Sequence, residues 1–192
     1  MTFEAGGVTG VVPAAGASRR FGGAKLLADV SGAPLLQHTL RALLDGGVSR
    51  VVVVAAPGHE LSAVPLLQDG RISVAINTDP GRGMFSSIQV GLAQLAPRQA
   101  ALVMPADMPF VRAQTVSVVV AAYEQSRHAV VAAHGGRRGH PLIIPGDVRP
   151  LLLGQDAGTT LKAALEALDV VPQEVPVDDP GVLRDVDVRG DL

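Results

Sequence analysis

A chain of 192 residues with 47% hydrophobic and 18% charged residues can form one sizeable core, and its formal net charge of −2 includes no long run of like charge. Aromatic residues make up only 3% of the chain, so neither charge nor aromatic content favours nucleic-acid binding. The absence of cysteine excludes disulfides, thiolate metal sites and a cysteine nucleophile. No signal-like segment and no apolar run of membrane-spanning length is visible, which predicts a cytoplasmic protein with no membrane partner.

Strand and helix patterns alternate along the chain. The predicted strands cover residues 8–12, 50–56, 71–77, 100–104, 128–133 and 142–144, with extended segments over 170–177 and 183–188. The predicted helices cover residues 34–44, 58–68 with a weak point at Pro65, 85–95 and 113–125, and a last one begins near Thr159. This order implies right-handed crossovers and a mainly parallel sheet with helices on both faces, as one domain over residues 1–192.

The loop after the first strand, residues 13–25, reads PAAGASRRFGGAK. Its glycines let the backbone turn around an anion, and Arg20 and Lys25 supply positive charge, which is the pattern of a phosphate cradle. The alternative is an ordinary strand-to-helix turn with exposed arginines. A Walker loop is excluded because Lys25 stands between Ala24 and Leu26, and the Gly-x-Gly-x-x-Gly dinucleotide fingerprint is absent.

Carboxylates occur at two places where a metal ion could bind. Asp107 follows a predicted strand between two prolines, a position that suits magnesium bound to phosphate oxygens, although a lone Asp-x-Pro is also a common helix cap. Asp185 and Asp187 lie on the same side of a predicted extended segment, because strand side chains alternate. The alternative is that they belong to an acidic, solvated tail.

Two further polar stretches could bind substrate. Residues 77–88, NTDPGRGMFSSI, place glycines and serines at a helix start, where backbone N–H groups can hold a phosphate or a serine can serve as the N-cap. Residues 135–141, GGRRGHP, are predicted to form either a flexible basic hairpin loop or an anion-binding loop. Because ligands bind beyond the carboxyl ends of strands in open α/β sheets, residues 13–25, 77–84 and 105–109 should converge on one crevice.

These stretches resemble, in the same order, motifs of the molybdenum cofactor cytidylyltransferase family and its nucleotidyltransferase relatives. Residues 13–25 resemble Leu-Ala-Ala-Gly-x-Ser-x-Arg-Met-Gly-x-x-Lys, and residues 83–92 resemble Gly-Met-x-x-Ser-Ile-x-x-Gly-Leu. Residues 106–109 resemble Gly-Asp-Met-Pro, and residues 136–141 resemble Gly-Arg-x-Gly-His-Pro. The C-terminal LRDVDVRGDL is similar to Leu-x-Asp-Ile-Asp-Thr-Pro-Glu-Asp-Leu, with Val188-Arg189-Gly190 in place of Thr-Pro-Glu.

The resemblance implies a three-layer α/β, Rossmann-like nucleotidyltransferase fold and a set of site residues. The implied catalytic residues are Arg20, Lys25 and Asp107, and the implied metal ligands for Mg²⁺ or Mn²⁺ are Asp107 and Asp187. The implied nucleotide-binding residues are Ala14, Ala15, Gly16, Ser18, Arg20, Lys25, Asn77 and Asp107. The implied second-substrate residues are Gly83, Met84, Ser86, Ser87, Arg138 and His140.

The activity that the resemblance implies is transfer of CMP from CTP to the phosphate of the molybdopterin cofactor, with release of pyrophosphate. A molybdenum hydroxylase apoenzyme is the implied protein partner. Residues 14–16, Ala-Ala-Gly, resemble the cytidylyl branch, whereas the guanylyl branch usually shows Leu-Ala-Gly-Gly. The alternatives are a guanylyltransferase, a sugar-phosphate nucleotidyltransferase, and a noncatalytic molybdopterin carrier.

Overall fold

The computed structural model describes residues 7–16 and 21–192, so the predicted site residues Ser18 and Arg20 lie outside the described part of the chain. The strands are β1 (Thr9–Pro13), β2 (Asp29–Val30), β3 (Ala33–Pro34), β4 (Arg50–Ala55), β5 (Ile72–Ile76), β6 (Ala101–Val103), β7 (Val130–His134), β8 (Arg137–Ile144) and β9 (Gln173–Pro176). The α-helices are α1 (Leu35–Asp45), α2 (Met84–Ala93), α3 (Ala113–Ser126), α4 (Arg149–Leu153) and α5 (Leu161–Ala167).

Seven strands form one sheet in the order β5-β4-β1-β6-β8-β7-β9, and β2 pairs with β3 in a separate hairpin. The pairs β5-β4, β4-β1, β1-β6 and β7-β9 are parallel, whereas β8 runs antiparallel to both of its neighbours. The predicted α/β fold with a mainly parallel sheet is therefore confirmed. The carboxyl ends of β1, β4, β5 and β6 all lie at one edge of the sheet.

The central strands are buried on both faces. Along β4, Val51 and Val53 belong to one hydrophobic cluster, and Val52 and Val54 belong to a second one. The first cluster includes side chains of α1 and α3, and the second includes side chains of α2. Each fully buried valine or leucine contributes about 1.5–3 kcal/mol to folding, so the apolar strand runs hold helices against both faces of the sheet.

Helix α2 approaches the sheet closely at Gly91. A Cβ atom at this position would overlap the side chain of Val11 on β1 and would contact Val54 on β4. Glycine is therefore required for the observed distance between α2 and the sheet. This contact also places the start of α2 at the edge where the parallel strands end.

Several predicted elements differ in the structure. Residues 58–68 form no α-helix but only a 3₁₀ turn, Pro65–Gln68, because proline removes a donor and clashes with the preceding turn. The strand predicted over 142–144 begins earlier, at Arg137, so the predicted basic loop is mostly strand joined to β7 through a tight turn at Gly135 and Gly136, both with positive φ.

The end of the chain also differs from the prediction. Residues 183–188 form no strand; a 3₁₀ turn, Pro180–Leu183, leads into an irregular segment and a second turn, Arg189–Asp191. Helix α4 and the β2-β3 hairpin are not predicted, because both are too short to show a clear periodicity. Among the described residues, no helix combines the length and apolar character needed to cross a bilayer.

Candidate active site

A crevice of about 240 Å³ opens where β1 and β6 end. Its walls come from the loop after β1, the segment after β6 and the start of α2. The predicted site residues that line it are Ala14, Ala15, Gly16, Lys25, Gly83, Met84, Ser87 and Asp107. The three stretches expected to converge on one crevice therefore do so.

Lys25 and Asp107 form an ion pair at this crevice. The Lys25 Nζ atom donates a hydrogen bond of 2.7 Å to Oδ2 of Asp107 and lies 3.7 Å from Oδ1 of Asp187. Lys25 is 9% exposed, so its ammonium is held at the crevice wall with little freedom. Because two carboxylates share one ammonium, the described part of this site carries excess negative charge.

The backbone beside Asp107 is fixed by neighbours on two elements. The Ala106 N–H donates to the carbonyl oxygen of Pro13 at 3.2 Å, which extends the β1-β6 pairing beyond the strand ends. The buried hydroxyl of Thr39 on α1 donates to the Ala106 carbonyl oxygen at 3.0 Å. These bonds leave the Asp107 carboxylate pointing from a rigid support rather than from a free loop.

Asp107, Asp185 and Asp187 each offer an oxygen within 4.8 Å of the others. The C-terminal segment reaches this position because the Val186 N–H donates to the Asp107 carbonyl oxygen at 2.9 Å. Asp185 and Asp187 thus lie on the same side, as the alternation predicted, although the segment is not a strand. Oxygen donors of this kind suit hard divalent cations such as Mg²⁺ and Mn²⁺.

The turn at the end of the chain supports Asp187. The Asp191 carboxylate accepts hydrogen bonds from the backbone N–H groups of Val188 (2.8 Å) and Asp187 (2.7 Å). These bonds lower the pKa of Asp191 below its usual value, with the bond from Val188 as the larger cause. The Arg189 guanidinium lies 5.1 Å from the ring centroid of Phe21, which connects this turn to the segment that precedes Lys25.

The start of α2 forms the opposite wall of the crevice. Gly83 has φ of 100° and caps α2 without any side-chain hydrogen bond to the first turn. Behind it, the Asn77 amide nitrogen donates to the hydroxyl oxygens of Ser86 (2.8 Å) and Ser87 (2.9 Å), and the Ser86 hydroxyl donates to the Gly83 carbonyl oxygen (2.7 Å). Asn77 is 4% exposed and, like Ser86, lies behind the crevice rather than on its wall.

Neither His140 nor Arg138 lines the crevice, although His140 lies near enough to Asp107 and Asp185 to feel their charge. Burial of the His140 ring lowers its pKa, while a backbone hydrogen bond at Val103 and the charges of Asp107 and Asp185 oppose this shift. The ring Nδ1 has no hydrogen-bond partner in the part of the chain that the structure describes. The Arg138 Nε donates to Glu174 Oε1 on β9 at 2.8 Å.

An ion pair beside the start of α2 is not predicted from the sequence. The Arg82 guanidinium donates to Oδ1 of Asp156 at 3.0 Å, and the same oxygen accepts the Gly158 N–H at 3.1 Å. Gln89 on α2 donates to the carbonyl oxygens of Leu152 and Gln155, both at 2.9 Å. These bonds hold residues 154–158 against α2 and its preceding turn, and no local pattern could have indicated a pairing across 74 positions.

The mostly parallel sheet, with helices on both faces and a crevice where its strands end, defines a Rossmann-like α/β protein. Residues 10–172 match the MobA-like NTP transferase domain, and the chain belongs to that family. It is a nucleotidyltransferase of the MobA-like superfamily.

Three relatives illustrate the range of proteins to which this chain is similar. Nicotine blue oxidoreductase of Paenarthrobacter nicotinovorans is 32% identical over 79% of this chain and 77% of its own length. The 2-C-methyl-D-erythritol 4-phosphate cytidylyltransferase of Streptomyces avermitilis is 32% identical over 74% of this chain and 61% of its own length. A probable molybdenum cofactor guanylyltransferase of Pyrococcus horikoshii is 28% identical over 60% of this chain and 56% of its own length.

Solved structures share the whole fold. A homologue of Rv0371c from Mycobacterium sp. strain JC1 superposes with a TM-score of 0.80 at 26% identity, covering 96% of this chain and 92% of the other. The manganese complex of Rv0371c from Mycobacterium tuberculosis superposes with a TM-score of 0.76 at 22% identity, covering 97% and 96%.

Proposed function

We propose that this chain, as one domain, transfers CMP from CTP to the phosphate of the molybdopterin cofactor and releases pyrophosphate. The observation that carries the proposal is the Lys25 and Asp107 pair, 2.7 Å apart, beside a crevice whose far wall is the start of α2, where Gly83 is the N-cap and no side chain among the described residues bonds the first turn. A cation, carboxylates and the backbone N–H groups of a helix N-terminus around one cavity are the groups that phosphoryl chemistry needs.

The carboxylates fit a divalent cation. Three oxygen donors within 4.8 Å of one another form a hard ligand set, and the Rv0371c protein has been solved in complex with manganese. In our proposal Asp107 and Asp187 hold Mg²⁺ or Mn²⁺, with Asp185 as the neighbouring carboxylate. Such an ion, when bound, offsets charge that develops on phosphate oxygens.

The chain's own residues position the two reactants. The backbone of Ala14, Ala15 and Gly16 and the Lys25 ammonium hold the nucleotide phosphates, together with Arg20 and Ser18 from outside the described residues. An oxygen of the acceptor phosphate forms a bond to the α-phosphorus, and the bond from that phosphorus to pyrophosphate breaks. The electron pair leaves with pyrophosphate, whose charge Lys25 and Arg20 stabilise.

In this proposal the acceptor occupies the side of the crevice formed by the start of α2. Gly83, Met84 and Ser87 line this wall, and Met84 is 56% exposed, so its side chain is available for an apolar ligand surface. Asn77 and Ser86 support the wall from behind through their hydrogen bonds. His140 lies close to Asp107 and Asp185. Arg138 would have to break its hydrogen bond to Glu174 before it could contact the acceptor.

Two observations bear on the base and the acceptor. Ala14-Ala15-Gly16 resembles the cytidylyl branch, and the Streptomyces relative is named a cytidylyltransferase. The name of the Pyrococcus relative supports the molybdenum cofactor as acceptor but favours guanylyl transfer as the alternative. A sugar-phosphate acceptor and a noncatalytic carrier remain the other candidates, and a carrier would not need Lys25 and Asp107 together.

An oxidoreductase is a second candidate. It is favoured by the 32% identity to nicotine blue oxidoreductase, which extends over about three quarters of both chains. The two candidates differ in what they release or consume: a nucleotidyltransferase releases pyrophosphate from a nucleoside triphosphate, whereas an oxidoreductase consumes a reductant.

The first experiment is calorimetric titration with CTP, GTP and ATP, each with and without Mg²⁺. Magnesium-dependent binding of CTP above the others supports the proposal, and preference for GTP moves the protein to the guanylyl alternative. Pyrophosphate release is then measured with the molybdopterin cofactor as acceptor. Oxidation of NADH and NADPH is measured separately with nicotine blue as the electron acceptor, which tests the oxidoreductase candidate. Absence of nucleotide binding would overturn the proposed activity and favour the carrier.

A further inference from the structure

A larger cavity lies at the opposite edge of the sheet, where the strands begin. Its volume is about 850 Å³, compared with about 240 Å³ for the crevice, and none of the described residues lines both. The walls come from the starts of β1, β4 and β5, from residues 94–100 between α2 and β6, and from the end of α3. This size is within the range of cavities that bind small organic ligands.

Positive charge concentrates around this cavity. Four arginines line it, Arg50, Arg71, Arg98 and Arg127, and no aspartate or glutamate is among the described lining residues. Arg71 is held by Asp69, with 2.7 Å between Nη2 and Oδ2. Within residues 7–16 and 21–192, Arg98 and Arg127 form no ion pair.

The helix end explains only one of these arginines. Arg127 terminates α3, where a cation is favoured by the helix dipole, and its guanidinium lies 5.7 Å from the centroid of the Tyr123 ring. Arg98 comes from a different loop, Arg50 is the first residue of β4, and Arg71 directly precedes β5. Arginines from four segments therefore line one cavity, and guanidinium groups suit phosphate because each presents a planar fork of donors.

A buried hydroxyl provides an independent observation. Thr9 lines the same cavity and is 3% exposed, yet its Oγ1 has no hydrogen-bond partner among the described residues. Buried hydroxyl groups normally form hydrogen bonds, and this one is enclosed by protein atoms, so the Thr9 side chain must rotate about χ1 before it can face the cavity. A Thr9 hydroxyl turned in this way donates to an oxygen of the same anion that the arginines attract.

We propose that this cavity binds a polyphosphate anion of nucleotide size at a site separate from the crevice. Strand β1 begins with Thr9 at the cavity and ends with Pro13 at the crevice, so about 13 Å of strand separates the two at roughly 3.3 Å per residue. A ligand in the cavity therefore does not compete for the crevice. The site does not depend on the proposed CMP transfer, because none of its groups belongs to the crevice.

The test uses the full chain, tripolyphosphate as probe, and a magnesium-free buffer. The double variant Arg98→Gln/Arg127→Gln removes the two arginines without ion pairs, and Arg41→Gln/Lys162→Gln removes two exposed charges that line neither site. We expect about tenfold weaker binding for each arginine lost, since each removes charge-assisted hydrogen bonds, and no change in the control. Thermal unfolding checks that both variants remain folded.

Backbone amide spectra locate the probe. Shifts at Thr9, Arg98 and Arg127 support the proposal, whereas shifts confined to the crevice, or equal affinity of the Arg98→Gln/Arg127→Gln variant and the wild type, would overturn it. CTP and ATP are titrated in the same way. Tighter binding of a nucleotide at the cavity would show that the base is recognised, and equal binding would show that the phosphate chain alone is bound. Magnesium-dependent CTP binding at the crevice is measured separately, so either proposal can fail alone.

Discussion

The Lys25 ammonium and the Asp107 carboxylate lie 2.7 Å apart although 82 positions separate them in the chain. Lys25 follows the loop after β1 and Asp107 follows β6, and these two strands are parallel neighbours in the sheet. Their carboxyl ends therefore meet, and the pair combines a cation and an anion at the point where phosphates are expected to bind.

Asp107→Ala should abolish nucleotidyl transfer while the protein remains folded. Loss of this carboxylate removes a proposed metal ligand and leaves Lys25 with Asp187 at 3.7 Å, so we expect a fall in kcat of about 10³-fold or more. Pyrophosphate release gives the rate, and thermal unfolding checks the fold. Asp178→Ala, at an exposed aspartate that does not line the crevice, is the matched control. Unchanged turnover in folded Asp107→Ala protein would contradict the metal assignment.

Asn77→Ala should weaken both stability and turnover. The substitution removes the donor that Ser86 and Ser87 share and leaves buried hydroxyls with fewer partners, which we expect to cost about 1–3 kcal/mol in the free energy of unfolding. Urea unfolding measures this loss.

A double-mutant cycle with Ser86→Ala tests whether Asn77 acts through the helix start. If it does, the two losses will be less than additive, because the residues share one hydrogen bond. Thr78→Ala, at the exposed neighbouring position, is the control. Fully additive losses would show that Asn77 contributes independently of Ser86.

Asp179→Ala should destabilise the attachment of the C-terminal segment. This carboxylate is 2% exposed and accepts hydrogen bonds from the Arg112 N–H (2.9 Å), the Thr115 hydroxyl (2.6 Å) and the Gly181 N–H (3.0 Å). Leaving these buried donors without an acceptor should cost about 3–5 kcal/mol in the free energy of unfolding.

The same variant should weaken divalent-cation binding, because Asp179 anchors the segment that carries Asp185 and Asp187. Titration with Mn²⁺ measures the affinity, and Asp178→Ala is again the control. Unchanged Mn²⁺ affinity in folded Asp179→Ala protein would show that the carboxylates keep their positions without this anchor.

The hydrogen bonds of the Asp156 carboxylate to Gly158 and Arg82 should stabilise the protein less as the pH falls. Its pKa is lowered first by the hydrogen bond from the Gly158 N–H and then by the Arg82 guanidinium. Because the folded pKa is below the unfolded one, the stabilisation is present above the usual pKa of 3.8 and is lost as the pH falls through the folded value. The effect on stability should be small, since the Asp156 side chain is 77% exposed.

Carboxyl carbon NMR can separate the two causes. In Arg82→Gln the pKa of Asp156 should rise only partly toward its usual value, because the larger cause, the Gly158 N–H, remains. Arg41→Gln is the control for loss of one exposed charge. If the pKa of Asp156 returned fully to its usual value in Arg82→Gln, the ion pair with Arg82 would be the dominant cause of the lowered pKa.

Much of the fold follows from local sequence alone. A continuous valine run such as residues 51–54 predicts a strand that is buried on both faces. Helices are then needed on both sides of the sheet to cover it. Once the strands are parallel, the loops that follow them must share one edge, so the meeting of residues 14–16, 83–87 and 105–107 was predictable. The roles of Ser18 and Arg20, which the structure does not describe, stay predictions.

Only the tertiary structure decided how distant segments pair. Residues 183–188 reach Asp107 through a hydrogen bond from Val186 and not through strand pairing. Strand β8 extends to Arg137 because β7 pairs with it that far, whereas β6 pairs only with residues 142–144. Arg82 meets Asp156, and arginines from four segments meet at the far edge of the sheet. Local periodicity indicates which face of a helix or strand is buried. It carries no information about contacts between positions far apart in the chain, because those contacts depend on how the elements pack.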